Sequence, residues 1–195
     1  ERKIPKAIKP DLEAAAITVS GQLLLLGSGS KSPQRNVGWF IDPTSKNADS
    51  IRLDTFYQRL QLNGIKELNV EGATAIPGSF ILASRGSKGY PKNHLIFTDT
   101  RFWVKQSLAQ ITTILTSSGT DSSFFSGVSG LAYAKKSDRL LLTVSTEDTR
   151  NSMDDGAIGK SYLWIINNIS SKKRWKAINP DKIIELESLD PGFKG

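Results

Sequence analysis

The sequence predicts an all-β fold made of repeated four-stranded sheets, and three observations lead to this prediction. One pattern of strands and turns recurs three times at a fixed spacing of 58 residues. Each copy contains an apolar run of the length expected for a strand that is buried on both faces. Residues that favour turns (Gly, Pro, Ser and Asp) separate the runs. Four strands joined by short turns and repeated at this period are typical of the blades of a β-propeller.

Four strands are predicted in every repeat. The first is short and opens the repeat, at residues 14–19, 72–76 and 130–134. The second is the apolar run, at residues 22–26, 80–83 and 140–144. The third ends in Asp or Asn, at residues 37–42, 94–99 and 162–167. The fourth is weaker, at residues 50–53, 111–114 and 174–178. The blades are thus predicted at approximately residues 11–68, 69–126 and 127–186.

Two further expectations concern helices and the number of blades. Residues 54–62 and 101–109 could each form a short helix or a turn at the edge of the fold. The 195 residues hold only three full repeats, whereas a closed propeller has at least four blades. We therefore expect terminal blades to be missing from this chain, which begins with Glu1 and not with methionine.

Composition limits the classes of partner. The chain has 26 basic and 19 acidic residues, a net charge of +7 and no cysteine. The basic residues are scattered apart from one run at 172–176, and no nucleic-acid-binding motif is present, so we expect no nucleic-acid partner. No apolar run approaches the roughly 18 residues of a spanning helix, so we expect no membrane span. The lack of cysteine fits a periplasmic and a cytoplasmic location equally.

The opening of each repeat carries the first candidate site. Glu13, Glu71 and Ser129 are 58 residues apart, so we expect them to converge at one mouth of the central channel. Converging carboxylates repel each other unless a cation offsets them. In one alternative, the glutamates are clips that accept backbone N–H groups from neighbouring blades. In the other, Ca²⁺ binds to the oxygens of Asp11, Glu13, Asn69 and Glu71.

Candidate ligand-binding residues follow the second strand of the middle repeat. Residues 84–89 (SRGSKG) form a Gly-rich loop with two cations, Arg85 and Lys88. Such a loop can cradle an anion through its N–H groups, and Arg85 offers a bidentate fork to carboxylate or phosphate. The alternatives are a plain turn, or an ion pair of Arg85 with Glu13 or Glu71.

The third repeat is longer than the other two by about ten residues, which lie in the acidic segment 147–156. A long insertion over one mouth is where a functional lid would sit. Glu147 and Asp148 are therefore further ligand-binding candidates. A solvated loop is the alternative.

The sequence gives little support for nucleophilic catalysis. The sole histidine, His94, begins an apolar strand, and no Gly-x-Ser-x-Gly motif is present. We expect His94 to be a strand residue with a satisfied hydrogen bond. Hydrolysis, if present, would use a metal-activated water or a carboxylate base.

Five short phrases occur in a fixed order along nearly the whole chain: KPDLEA at 9–14, GSGS at 27–30, NVEGA at 69–73, RGSKG at 85–89 and EDT at 147–149. This order resembles an uncharacterised bacterial family of six-bladed propellers, related to phytase-like esterases and to strictosidine-synthase-like and gluconolactonase-like propellers. The resemblance implies six blades and longer chain ends. The third repeat departs from the pattern because it has Ser129 in place of glutamate.

Two functions are consistent with these features. The first is a propeller with an acidic, calcium-binding mouth that hydrolyses a phosphate ester, an ester or a lactone in the central channel, as in phytase-like esterases. The second is a non-catalytic propeller scaffold that binds a small-molecule ligand or a protein partner through Arg85, Lys88 and the acidic insertion. A calcium-dependent shift of the melting temperature would favour the first, and an ion pair of Arg85 with a mouth glutamate the second.

Overall fold

The computed structural model describes residues 5, 8–117, 125–147 and 158–190, and within these ranges the fold is all-β with one α-helix. Thirteen strands in the described ranges form three sheets, in which all neighbours but one pair are antiparallel. No helix in the same ranges is long and apolar enough to cross a membrane. The prediction of an all-β fold is confirmed.

The first sheet follows the chain in order. Its strands are β1 (Leu12–Ile17), β2 (Leu23–Gly27), β3 (Val37–Ile41) and β4 (Ala48–Arg52). Every second residue in the middle of β1 and β2 is buried, including Ala14, Ala16, Leu24 and Leu26. This period of two places one face of the sheet on a core.

The sequence predicts a short helix or a turn at residues 54–62, and the structure has a helix there, directly after the first sheet. This helix, α1 (Asp54–Leu62), buries Phe56, Tyr57 and Leu60. The Tyr57 hydroxyl donates a hydrogen bond of 2.7 Å to the carbonyl of Gly27 and so ties the helix to the end of β2. The second candidate segment, residues 101–109, forms turns and no helix.

The second sheet is the middle one. Its antiparallel strands are β5 (Val70–Ile76), β6 (Ser79–Ser84), β7 (Asn93–Thr98) and β8 (Ile111–Thr116). Every residue of β6 and β7 is buried, because hydrophobic cores cover both faces of this sheet. A fifth strand, β12 (Ala177–Ile178), pairs in parallel with β8.

The third sheet corrects one prediction. Its strands are β9 (Phe125–Ala134), β10 (Arg139–Glu147), β11 (Ile158–Asn167) and β13 (Lys182–Glu185). The predicted fourth strand at 174–178 is wrong, since β13 takes that place beside β11 and residues 177–178 join the second sheet. Short 3₁₀ helices lie in this part of the chain, at Lys135–Ser137, Ile169–Ser171 and Leu186–Ser188.

The three sheets are neighbours through their first strands, because β1 contacts β5 and β5 contacts β9. One core lies between the first and second sheets and includes α1. A second core joins the second sheet to the third through residues such as Ile81, Leu95, Leu142 and Trp164. Gly72 of β5 lies so close to β9 that a Cβ there would overlap Leu131.

Candidate functional site

The first strands β1, β5 and β9 each carry a β-bulge at one position of the 58-residue repeat. Glu13 is the extra residue in the pairing of β1 with β2, Glu71 in that of β5 with β6, and Ser129 in that of β9 with β10. A bulge bends its strand and changes the direction of the extra side chain. The register that these three residues share in sequence is therefore also shared in structure.

Two hydrogen bonds between sheets place the starts of these strands at one edge. The Val70 N–H donates to the Ser28 carbonyl over 2.8 Å, across the first and second sheets. The Val128 N–H donates to Asn93 Oδ1 over 3.2 Å, across the second and third sheets. We use the name opening edge for the starts of β1, β5 and β9 with the side chains around them.

Asp11 lies just before β1 and is paired with two cations. Its Oδ2 is 2.6 Å from Arg35 Nη1 and accepts a hydrogen bond of 2.9 Å from the Ser28 hydroxyl. Its Oδ1 is 3.3 Å from Lys9 Nζ. The side chains of Asp11 and Arg35 are only 13% and 10% exposed, so water screens this pair weakly.

Glu13 is exposed and lies near Asp11. Its pKa is raised, first by partial burial of the carboxyl group and then by the negative charge of Asp11. Lys9 and Arg35 act in the opposite direction without cancelling these effects. Glu13 therefore keeps its proton to a higher pH than an isolated glutamate does.

Glu71 lies at the second bulge, between an amide and an arginine. Its Oε1 accepts a hydrogen bond of 2.7 Å from Asn69 Nδ2 and is 3.9 Å from Arg85 Nη1. The N–H of Arg85 donates to the carbonyl of Asn69 over 2.8 Å, which fixes the start of the Arg85 side chain. Of the alternatives for Arg85, the structure shows the ion pair with Glu71.

Arg85 also contacts the third sheet. Gly127 of β9 lies directly against it, since a Cβ at Gly127 would overlap Arg85 Nε. Asn93 bridges the same two sheets: its Oδ1 accepts from the Gly86 N–H over 3.2 Å, and its Nδ2 donates to the Ser126 carbonyl over 2.7 Å. The opening edge thus holds the second and third sheets together.

The oxygens expected to bind Ca²⁺ fit a divalent cation poorly. In the described part of the chain, no three His, Asp or Glu side chains are grouped so that they could share a metal ion. Asp11 and Glu71 lie beside Arg35 and Arg85, respectively. These guanidinium groups would repel a second cation at the same oxygens.

The structure describes only some of the other candidate residues. Lys88 is exposed in the loop after β6, whereas Arg85 in the same loop is largely buried. Glu147 ends β10, and Asp148 lies outside the described residues together with the rest of the acidic insertion. His94 is in β7, which confirms that it is a strand residue, and its Nε2 is hydrogen-bonded to the Tyr90 hydroxyl at 3.2 Å, whereas its Nδ1 has no hydrogen-bond partner among the described residues.

Sequence reasoning missed Arg35, Asn93 and Gly127. The 58-residue repeat gave no signal for Arg35, since the position that corresponds to Arg85 is Gly27. Asn93 and Gly127 gave no local signal, since their roles depend on contacts with a different sheet.

The sequence matches, over residues 5–191, a family described as Family of unknown function (DUF6910). The chain belongs to this family. The matched region includes all three sheets and both arginine–carboxylate pairs of the opening edge. Among curated proteins, none matches the chain.

Proposed function

We propose that the three sheets are consecutive blades of a β-propeller and that the chain acts as a non-catalytic binding scaffold. Three observations support the blades: the sequential order of strands in the first sheet, the contacts between first strands, and the bulge at one register of every repeat. The resemblance to propellers related to phytase-like esterases supports the same arrangement.

The single observation that carries the scaffold role is the position of Arg85 between Glu71 and Gly127. This side chain offsets the charge of the mouth glutamate and packs on the next sheet at the same time. A residue used in this way stabilises the contact between blades. Asp11 and Arg35 form a comparable pair in the first sheet, at 2.6 Å.

One observation favours a second candidate, hydrolysis of a phosphate ester, an ester or a lactone. Glu13 is exposed at the opening edge and has a raised pKa, and general acid–base catalysis by a carboxyl group requires such a shift. Asp11 beside it would supply a second carboxylate. The scaffold and the hydrolase predict different effects of replacing Glu13 on turnover.

The test combines turnover with melting. The protein is assayed with p-nitrophenyl phosphate, p-nitrophenyl acetate and a γ-lactone, and melted in CaCl₂ and in EDTA. For a scaffold we expect the wild type to show no more turnover than Glu13→Gln. We also expect the wild type to have the same melting temperature in CaCl₂ and in EDTA, and Glu71→Gln to have a lower melting temperature than the wild type. Turnover that Glu13→Gln abolishes but Asp49→Asn retains would overturn the proposal. So would a calcium-dependent rise in melting temperature that Glu71→Gln removes.

A further inference from the structure

An open groove lies at the outer side of the second sheet, along β8 and the chain segment that pairs with it. Its volume is about 450 Å³, within the range of small-molecule sites. The residues that line it come from β8, from the start of β7 and the loop before it, from the turn after α1 and from the basic run of the third repeat. They include Tyr90, Lys92, His94, Arg174, Trp175 and Lys176.

The described lining of the groove is positively charged. Lys92, Arg174 and Lys176 line it and all three are exposed, and among the described residues that line it none is acidic. Among the described residues none of these three cations forms an ion pair, while the neighbouring Lys172 pairs with Asp181 at 3.2 Å. Cations gathered in a concave surface raise the local concentration of anions. The groove is therefore suited to an anionic ligand.

An exposed aromatic ring lies between two of these cations in the sequence. Trp175 is 52% exposed, although it is one of the largest apolar side chains. Lys172 Nζ lies 5.0 Å from the centroid of the ring and is itself buried, so the indole is braced on one side. An indole in this state offers a flat surface on which a planar ring can stack.

His94 lies in the wall of the groove, behind Tyr90. The Tyr90 hydroxyl is 2.9 Å from the Gly64 carbonyl and 3.2 Å from Nε2 of His94, and it can donate to either. The other ring nitrogen, Nδ1, is enclosed beneath the surface, and the described residues offer it no hydrogen-bond partner. The imidazole is thus a fixed part of the wall whose ring signals report on the groove.

We propose that this groove binds a nucleoside-monophosphate type of ligand, with a phosphate for Lys92, Arg174 and Lys176 and a planar ring for Trp175. A doubly charged phosphate matches several cations better than a single carboxylate does. The proposal rests on the proposed function only in that it gives the scaffold a ligand. The groove lies outside the opening edge and uses none of its residues.

The experiment uses the whole chain and adenosine 5′-monophosphate as the probe. Affinity is measured by calorimetry, and the ring signals of His94, the sole histidine, are followed by ¹⁵N NMR. We expect saturable binding with a shift of the His94 ring signals, because His94 lines the groove. Trp175→Ala should weaken it about tenfold, the effect of one lost stacking contact. Lys176→Ala should weaken it and reduce its salt dependence.

Matched controls separate this site from the rest of the protein. Lys31→Ala, at an exposed lysine in the loop between β2 and β3, should bind as the wild type does. Adenosine and inorganic phosphate alone should each bind at least tenfold more weakly. Equal binding of phosphate and the nucleotide, an unchanged His94 signal, or full affinity in Trp175→Ala would overturn the proposal. Tighter binding of a single-stranded oligonucleotide would also overturn it, in favour of a nucleic-acid surface.

Discussion

Glu71 and Arg85 lie at the ends of neighbouring strands, with Oε1 and Nη1 3.9 Å apart and both side chains less than 15% exposed. The same arginine covers Gly127 of the next sheet. Charge balance within one sheet and packing between two sheets therefore depend on one side chain. The position of Arg85 beside Glu71 and Gly127 therefore leads to predictions about stability that can be tested without knowing the ligand.

Replacing Glu71 by Gln should destabilise the protein. The amide keeps the shape of the side chain but removes the charge that faces the largely buried Arg85, which costs about 1–3 kcal/mol. Urea unfolding measures the loss. The double variant Glu71→Gln, Arg85→Gln should be more stable than the sum of the single losses implies, because the two groups interact. Strict additivity would show that the two groups do not interact.

Replacing Gly127 by Ala should loosen the contact between the second and third sheets. The new Cβ overlaps Arg85 Nε, so the guanidinium has to move, and overpacking of this kind costs about 1–3 kcal/mol. Thermal melting measures the loss. In an Arg85→Ala background the same substitution should cost much less. An equal cost in both backgrounds would place the strain elsewhere in β9.

Acid should weaken the fold through His94. Burial, and then the charge of Lys92, lower the pKa of this histidine to about 4. An unfolded histidine titrates near pH 6.5, so the unfolded chain binds more protons between those two values. The free energy of unfolding should therefore fall as the pH drops from 6.5 towards 4, by about 3 kcal/mol at the lower end.

The comparison with His94→Gln isolates this effect, because Asp42, Asp54 and Asp181 also have pKa values that differ from their usual range. The pH dependence of unfolding should be flatter in the variant than in the wild type between pH 6.5 and 4. Parallel curves for the two proteins would show that His94 is not held neutral by the fold.

Most of what could be predicted about the fold came from the 58-residue repeat. The spacing of Glu13, Glu71 and Ser129 predicted a shared register, and the structure gives each of them a bulge. The apolar runs predicted the second strands, and burial on both faces is confirmed for β6 in the middle sheet, whereas every second residue of β2 is buried. Residues 54–62 form one of the two structures predicted for them.

Contacts between residues that are far apart in the chain could not be predicted from the sequence. The pairing of Asp11 with Arg35 bridges a loop whose path depends on the packing of β2 and β3, and no spacing rule selects that partner. The segment 174–178 was assigned to the third sheet because it follows β11, but β13 takes the edge of that sheet. The basic run was predicted to be a solvated turn. In the structure it lies beside β8, and this contact could not be predicted because it joins two different repeats.

Strand β12 follows the third repeat's β11 in the chain but pairs with the second sheet, and this has an evolutionary consequence. Ala177 and Ile178 shield part of β8, an outer strand whose free N–H and C=O groups would otherwise invite another chain to pair with it. Loss of the last repeat by gene deletion would leave that strand bare and prone to aggregate.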